Sequence, residues 1–356
     1  MKLQKSIIAI IALFIFALTT NAQMQYRRAL DFVGDIKADI AVIRRNHNNP
    51  TFDWYVQNGN SYGATSWGSS DISEGDYRDR IVPADYDGDG KGDYAVVRRM
   101  PGGVNSSNLV WWIKNSSDGA IRSAAFGLTN YDQPIPGDYD GDGKADFAVM
   151  RNSGGSGYST FYILQSTNNQ YRVQTIATPY PICYATQGNF DGDNKADPTM
   201  YCHDGNTAGS PGYFMSVRSL DGVRTQTQWG AGRDQPIFGD FDGDGRTDHA
   251  IVRGADSVLS GMNIEWWIKG STGVSYAVTF GRTVSPNSRH ITAQADYDGD
   301  NKTDIAVYDT TQGLFWIIAS TTNQVVTVKF GGFQAGNEGH SDKPIRLINN
   351  SFENAQ

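Results

Sequence analysis

Residues 138–146 read Asp-Tyr-Asp-Gly-Asp-Gly-Lys-Ala-Asp, and this acidic loop occurs six times in a chain of 356 residues. We number the copies first to sixth in chain order: 31–39, 85–93, 138–146, 189–197, 240–248 and 296–304. Acids occupy loop positions 1, 3, 5 and 9 in four copies, whereas the fourth loop opens with Asn189. The first loop departs furthest, with Val33 at position 3 and Ile36 at position 6. Self-similarity of this kind predicts an architecture of stacked, near-identical units.

The spacing of the acids indicates a metal site. Oxygen ligands at positions 1, 3, 5 and 9, with a backbone carbonyl at position 7, can surround a hard cation such as calcium. The alternative is a solvated turn rich in Asp and Gly, but five copies in register favour about five calcium sites. The predicted ligands are Asp85, Asp87, Asp89, Lys91 and Asp93; Asp138, Asp140, Asp142, Lys144 and Asp146; Asn189, Asp191, Asp193, Lys195 and Asp197; Asp240, Asp242, Asp244, Arg246 and Asp248; and Asp296, Asp298, Asp300, Lys302 and Asp304. The first loop retains only Asp31, Asp35 and Asp39, so the sequence does not decide whether it binds calcium.

The units between the loops predict the fold. Loop starts are 51 to 56 residues apart, and each loop is followed by an alternating apolar run such as 94–98, typical of a strand. An aromatic run such as Trp111-Trp112-Ile113 comes next, then a polar turn and a run ending in an aromatic-Gly pair such as Phe126-Gly127. About four short strands in some 50 residues is the size of one β-propeller blade. The sequence therefore predicts an all-β, six-bladed β-propeller, with seven blades as the less favoured alternative.

Aromatic side chains have two readings in such a repeat. Placed on strands, they fill the space between blades; placed in turns, they suit stacking against sugar rings. We expect the strand aromatics to be core, and the more exposed candidates to be Tyr62, Trp67, Tyr158 and Tyr180.

Paired substitutions between units predict contacts across a hairpin. Positions six before and thirteen after each loop start combine Asp79 with Arg98, Asp132 with Arg151, Asp234 with Arg253, and His290 with Asp309. In the remaining complete unit the same two positions are Cys183 and Cys202. Opposed positions on antiparallel strands are close enough for an ion pair or a disulfide. We therefore predict that the two cysteines are bonded, the alternative being two free thiols in the core.

The first unit lacks an upstream acid for Arg44, since Gln25 occupies that place. The tail supplies Asp342-Lys-Pro-Ile345, which matches Asp132-Gln-Pro-Ile135. We expect segment 342–348 to complete the first blade, with Asp342 facing Arg44, and so to close the ring. The alternative is that residues 25–30 fill this place.

The first residues and the charge balance suggest where the chain acts. A basic start, 12 apolar residues from Ile7 to Leu18 and small residues up to Ala22 predict a signal peptide over 1–22, leaving a single propeller domain over 23–356. A membrane span needs about 20 apolar residues, so we expect an exported, monomeric protein that does not span a membrane. The six loops hold 22 of the 38 acidic residues, which leaves the rest of the chain basic enough for an anionic partner such as an acidic glycan. Export and the absence of a basic stripe disfavour nucleic acid as a partner.

With the loops and the aromatic-Gly pairs together, the chain resembles FG-GAP/VCBS-repeat proteins, whose blades are similar to those of the integrin α-subunit propeller. The resemblance implies calcium in the loop between the first two strands of a blade. Members of that family include adhesion receptors and sugar-binding lectins, so we expect a binding module for a glycan or for a cell-surface or matrix protein. The inserts 99–108, 152–159 and 254–263 are candidates for the binding rim, the alternative being that they are only connectors.

Enzymes are the rival class, because some propellers are polysaccharide lyases. The five histidines lie in different units, and the sequence has neither a nucleophile-elbow motif nor a phosphate-binding loop, so we assign no catalytic residue.

Overall fold

The computed structural model describes residues 29–46, 49–70, 79–99, 108–129, 131–152, 157–205, 209–254, 262–282, 290–332 and 342–346. These residues form six four-stranded antiparallel sheets arranged as a ring, which confirms the predicted six-bladed β-propeller. The described part of the chain contains no helix that could cross a membrane. The predicted signal peptide, residues 1–22, lies outside the described residues.

Each blade follows one strand order from the ring axis outward. The strands are β1 Ala41–Arg45, β2 Thr51–Asn58 and β3 Ser61–Ser69 in blade 1; β4 Arg80–Ile81, β5 Tyr94–Arg99, β6 Asn108–Lys114 and β7 Ile121–Leu128 in blade 2; β8 Asp132–Pro134, β9 Phe147–Asn152, β10 Tyr158–Leu164 and β11 Tyr171–Ala177 in blade 3; β12 Ile182–Thr186, β13 Thr199–His203, β14 Pro211–Val217 and β15 Arg224–Ala231 in blade 4; β16 Gln235–Ile237, β17 His249–Arg253, β18 Asn263–Lys269 and β19 Ser275–Arg282 in blade 5; and β20 His290–Thr292, β21 Ile305–Asp309, β22 Leu314–Ala319 and β23 Gln324–Lys329 in blade 6. The inner strand of blade 1 is β24, Lys343–Pro344, from the C-terminal end of the chain.

The hydrophobic core lies between neighbouring sheets, as the aromatic runs predicted. Trp111 of blade 2 is fully buried, and its ring lies 5.2 Å from that of Phe147 in blade 3. The Trp111 indole N–H donates to the carbonyl of Phe126, at 2.9 Å, where the outer strand bends through Gly127. Burying a large aromatic ring while satisfying its N–H both fills the gap and fixes the outer strand. Blades 1 and 5 repeat this bond through Trp54 and Trp266.

Arginine–aspartate pairs join blades 2, 3 and 5 to the blade that precedes each of them. Arg98 binds the buried Asp79 through two nitrogens, at 2.8 and 2.9 Å, and its guanidinium lies 5.7 Å from the centroid of a Trp112 ring. Asp79 also accepts the backbone N–H of Ser69, at 2.6 Å, from blade 1. Removing one partner would leave a buried charge and a buried donor unsatisfied, so this pair holds two blades in register. The pairs of blades 3 and 5 have the same geometry, and His290 faces Asp309 at 3.7 Å in blade 6.

The ring is closed by the C-terminal segment. Strand β24 pairs with β1, opposing Pro344 to Val42. Arg44 binds Asp342 through Nε and Nη2, both at 2.7 Å, and Asp342 accepts the N–H of Gly332 from blade 6. The prediction for 342–348 is therefore confirmed over 342–346, while residues 347 and 348 and the alternative segment 25–28 lie outside the described residues.

Blade 4 replaces the ion pair by the predicted disulfide between Cys183 and Cys202. The two residues face each other in the β12–β13 register. Closing a loop of this length should stabilise the fold by about 3 kcal/mol. We expect the free energy of unfolding of the C183S/C202S double variant to be lower than that of the wild type by this amount, so that the variant unfolds at a lower urea concentration. A reducing agent should shift the wild type to the same midpoint and leave the variant unchanged.

Candidate metal centres

The loop backbone is shaped by the acid at position 1. In the third loop, Asp138 accepts the N–H of Gly141 through one carboxylate oxygen and the N–H of Gly143, at 2.9 Å, through the other. Both glycines have positive φ, 86° and 87°. The left-handed region suits Gly, and Asn better than other residues, which explains why position 6 is Gly or Asn in five of the loops.

The acid at position 9 ties the loop to the rest of its blade. Asp146 is fully buried and accepts two backbone N–H groups, from Tyr139 at 2.8 Å and from Ser166 at 2.7 Å. Ser166 belongs to the turn between the third and fourth strands. Positions 1 and 9 are therefore needed for the fold of the loop as well as being candidate ligands.

Sequence reasoning missed a pair of residues that hold positions 3 and 5. The Ser166 hydroxyl donates to Asp142 at 2.9 Å, and the Thr167 hydroxyl donates to Asp140 at 2.8 Å. The fifth and sixth loops receive the same bonds from Ser271-Thr272 and Ser320-Thr321, and the second from Ser116-Ser117. These hydroxyls fix the rotamers of the acids at positions 3 and 5, which leaves other carboxylate oxygens for a ligand.

Four loops bring three carboxylates together closely enough to hold a metal ion. One oxygen from each acid lies within 4.8 Å of the others in these sets: Asp85, Asp87 and Asp93; Asp138, Asp140 and Asp146; Asp240, Asp242 and Asp248; and Asp296, Asp298 and Asp300. The first three sets combine positions 1, 3 and 9, and the last combines positions 1, 3 and 5. The other predicted ligands, including the carbonyls of Lys91, Lys144, Lys195, Arg246 and Lys302, stay predictions.

The first loop keeps the same backbone conformation although Val33 replaces the acid at position 3. Asp31 accepts N–H groups from Gly34, at 2.6 Å, and Ile36, at 2.9 Å, and Asp39 accepts that of Phe32 at 2.6 Å. Ile36 takes the left-handed conformation that Gly or Asn takes elsewhere, with φ of 73°. Loop geometry thus depends on positions 1 and 9, and position 3 can be changed without losing it.

The donor set of the described loops fits a cation. In the fifth loop, one oxygen of Asp242 is buried and accepts no hydrogen bond within the described residues, although it belongs to a set of three clustered acids. Burial raises the pKa of Asp248 to about 7 and that of Asp240 to about 7, against an ordinary value of 3.8. Crowded, desolvated carboxylates of this kind are stabilised by a bound cation, since the ion neutralises them and supplies the missing partner.

Position 9 and position 3 should respond differently to substitution. Replacing Asp146 by alanine leaves two buried N–H donors unpaired, so we expect about 2–4 kcal/mol of destabilisation with or without calcium. Replacing Asp140 by alanine should cost little without calcium, because it also removes a repelling charge, and should lower stability in millimolar calcium. Urea denaturation of both variants in the two buffers measures the difference. Equal losses in both buffers for Asp140→Ala would contradict a ligand role for position 3.

Acidification should weaken the stabilisation by calcium. Burial raises the pKa of the acid at position 9 to about 6 in Asp93, Asp197 and Asp304 and to about 7 in Asp146. These values lie above the unfolded value, so the calcium-free folded protein binds extra protons and loses stability as pH rises from about 4 to 7. A cation must displace those protons, so the gain in melting temperature from calcium should grow from pH 5 to pH 8. A gain that is constant over this range would show that these acids do not take part.

The exposed aromatic candidates do not share one surface. Tyr62 is 65% exposed at the start of β3, next to the turn at the acidic-loop end, and Tyr158 is 47% exposed at the start of β10, at the opposite end. The expectation was wrong for the other two. Trp67 lies within β3 and is half-buried, and Tyr180 is half-buried because its ring stacks at 4.7 Å on Tyr213.

Three histidines lie in the described residues, each in a different setting. His203 and His249 are largely buried, and burial lowers the pKa of both, to about 4 for His249. His290 faces Asp309 across its hairpin, as predicted. His47 and His340 lie outside the described residues.

The three inserts lie between the second and third strands of blades 2, 3 and 5, as predicted, and most of their residues lie outside the described part of the chain. In an antiparallel blade, the turn after the second strand is at the end opposite the loop before it. The strand ends that flank the inserts therefore lie at the end of the ring opposite the acidic loops.

No protein-family model matches the chain, and a search of curated proteins gives no match either.

Proposed function

We propose that this protein is an exported, calcium-stabilised propeller of the FG-GAP/VCBS type that acts as a binding module for a glycan or for a cell-surface or matrix protein. The observation that carries the proposal is the recurrence of one carboxylate cluster at the same place in four blades. A single acidic turn has many explanations. A cluster of three carboxylates that always includes positions 1 and 3, repeated in four blades with its backbone supports, is what a structural ion site requires.

The donor chemistry favours calcium over a transition metal. The ligands available at each loop are carboxylate, amide and backbone carbonyl oxygens, which suit hard cations, and no cysteine or histidine belongs to the clusters found in the described residues. Extracellular calcium sites bind at about 10⁻⁴ to 10⁻³ M, which fits the millimolar calcium outside cells. The disulfide between Cys183 and Cys202 is consistent with an oxidising compartment.

The end of the ring opposite the acidic loops is the proposed ligand surface. The acidic loops at one end shape the blades, whereas the inserts, whose flanking strand ends lie at the other end, vary in length between units. Rigid strands that hold variable loops are a common arrangement for recognition. Tyr158, at the edge of one insert, presents an exposed ring that could stack on a sugar.

A glycan array in millimolar calcium, repeated after chelation, tests the proposed binding. Saturable binding that is lost on chelation supports a calcium-dependent glycan module and names its sugar class. A blank array would overturn the glycan reading and move the proposal to a protein ligand. The enzymatic alternative has its own signature, since a lyase would leave unsaturated ends that absorb in the ultraviolet on an acidic polysaccharide.

A further inference from the structure

The acidic loops of neighbouring blades are hydrogen-bonded to one another around the ring. The backbone N–H at position 8 of each loop donates to the position-1 carbonyl of the preceding loop, at 2.6–2.8 Å. The six bonds are Gly92 to Asp31, Ala145 to Asp85, Ala196 to Asp138, Thr247 to Asn189, Thr303 to Asp240, and Ala38 to Asp296, which closes the circle. The aliphatic part of the position-7 side chain lies over the position-4 glycine of the preceding loop, as Lys195 does over Gly141, where an added Cβ would meet it at 2.9 Å.

At each junction, where one loop is hydrogen-bonded to the preceding loop, a single peptide group faces both loops. The amide that joins positions 7 and 8 has its N–H directed at the preceding loop. No cis peptide occurs in the described residues, and in a planar trans peptide the carbonyl points away from the N–H. The position-7 carbonyl therefore points away from the preceding loop, and the sequence predicts it as a cation ligand of its own loop.

A cation on that carbonyl changes the neighbouring site. Drawing charge from the carbonyl oxygen polarises the amide and makes its N–H a stronger donor, as in chains of coupled hydrogen bonds. The acceptor is the backbone carbonyl of a position-1 residue, such as Asp138, whose side chain is a candidate ligand in the preceding loop.

We propose that cation binding is cooperative between neighbouring loops, transmitted by the shared peptide group at each junction. This inference rests on the proposed role of the loops as calcium sites. Because coupling between two sites is reciprocal, each occupied loop raises the affinity of the loops on both sides.

The first loop interrupts this coupling. It keeps both junction bonds, through Ala38 and Asp31, but Val33 replaces one of its acids. The second to sixth loops therefore form an open run of five sites. The fourth loop, 189–197, is its centre, and the second loop, 85–93, is one end.

Two matched variants distinguish a coupled run from independent sites. Asp191→Val and Asp87→Val each place at position 3 the valine that the first loop carries, in the central and the terminal loop respectively. Both should bind one calcium ion fewer than the wild type. The central variant leaves two separate pairs of sites, whereas the terminal variant leaves four sites in a run.

Calorimetric titration of calcium-free protein with calcium chloride gives the readout. We expect a Hill coefficient above 1 for the wild type, a similar value for Asp87→Val, and a value closer to 1 for Asp191→Val. In Asp191→Val the sites of the third and fifth loops should bind about fivefold more weakly or worse. Melting of both variants without calcium controls for folding.

Each outcome is decisive. Superimposable isotherms for the two variants, or a wild-type Hill coefficient of 1 with about five ions bound, would overturn the coupling and leave the calcium sites standing. If the wild type binds no calcium, the proposed function fails and the coupling fails with it. The wild-type coefficient decides the question even if the central variant does not fold.

Discussion

Removal of calcium should lower the melting temperature of this protein more than any single substitution. A ligand that binds only the folded state stabilises it by RT ln(1 + [L]/Kd), which is about 1.8 kcal/mol per site at 2 mM calcium and a Kd of 10⁻⁴ M. Five such sites would contribute about 9 kcal/mol, comparable to the whole stability of a typical domain. Calcium has this effect because the loops crowd buried carboxylates that are costly to ionise without a cation. Burial raises the pKa of Asp138 to about 6 and that of Asp240 to about 7.

Differential scanning calorimetry in 2 mM calcium and in chelator measures this effect. Magnesium at the same concentration is the matched control, because it demands a smaller, octahedral site and should restore little of the loss. Superimposable curves in calcium and chelator would contradict a structural role for the ion.

Replacing Asp342 by alanine should open the ring. Asp342 is 1% exposed, binds Arg44 twice and accepts the N–H of Gly332, so its loss leaves a guanidinium and a buried donor without partners. Breaking a buried pair of this kind costs about 3–5 kcal/mol. The inner strand of blade 1 is only two residues long, so we expect β24 to detach and the edge of β1 to become exposed.

Urea denaturation and limited proteolysis test this together. The variant should lose the expected free energy and be cut near its C-terminal end under conditions that leave the wild type intact. Asp132→Ala is a matched control, because it breaks the same kind of pair within a continuous part of the chain and should destabilise without releasing the tail. A variant of Asp342 that resists proteolysis as well as the wild type would contradict closure by this pair.

Much of the fold could be predicted because it repeats. Loop starts about 50 residues apart, and paired changes such as Cys183 with Cys202, fix the blades and the register of their hairpins without reference to any other protein. The closure of the ring was also predictable, because Asp342-Lys-Pro344 copies a sequence found at the start of other blades.

The supporting residues of the loops were harder to find. Ser166-Thr167 and Ser320-Thr321 have the same role, yet they lie 28 and 24 residues after their loop starts, since the strands and turns between differ in length. The backbone hydrogen bonds between neighbouring loops leave no signal in the sequence, because they join main-chain groups and position 8 is Gly, Ala or Thr. The prediction that Tyr180 is exposed was wrong because its ring stacks on Tyr213, which comes from another part of blade 4.

The most direct test of the central claim is a count of bound calcium. Protein stripped of metal, dialysed into 2 mM calcium and analysed for metal content against a matched buffer should hold about five ions per chain. The triple variant Asp87→Val, Asp140→Val and Asp242→Val should hold about two. A wild type that retains no calcium above the buffer would contradict the account, because the repeated carboxylate clusters would then be acidic turns and nothing more.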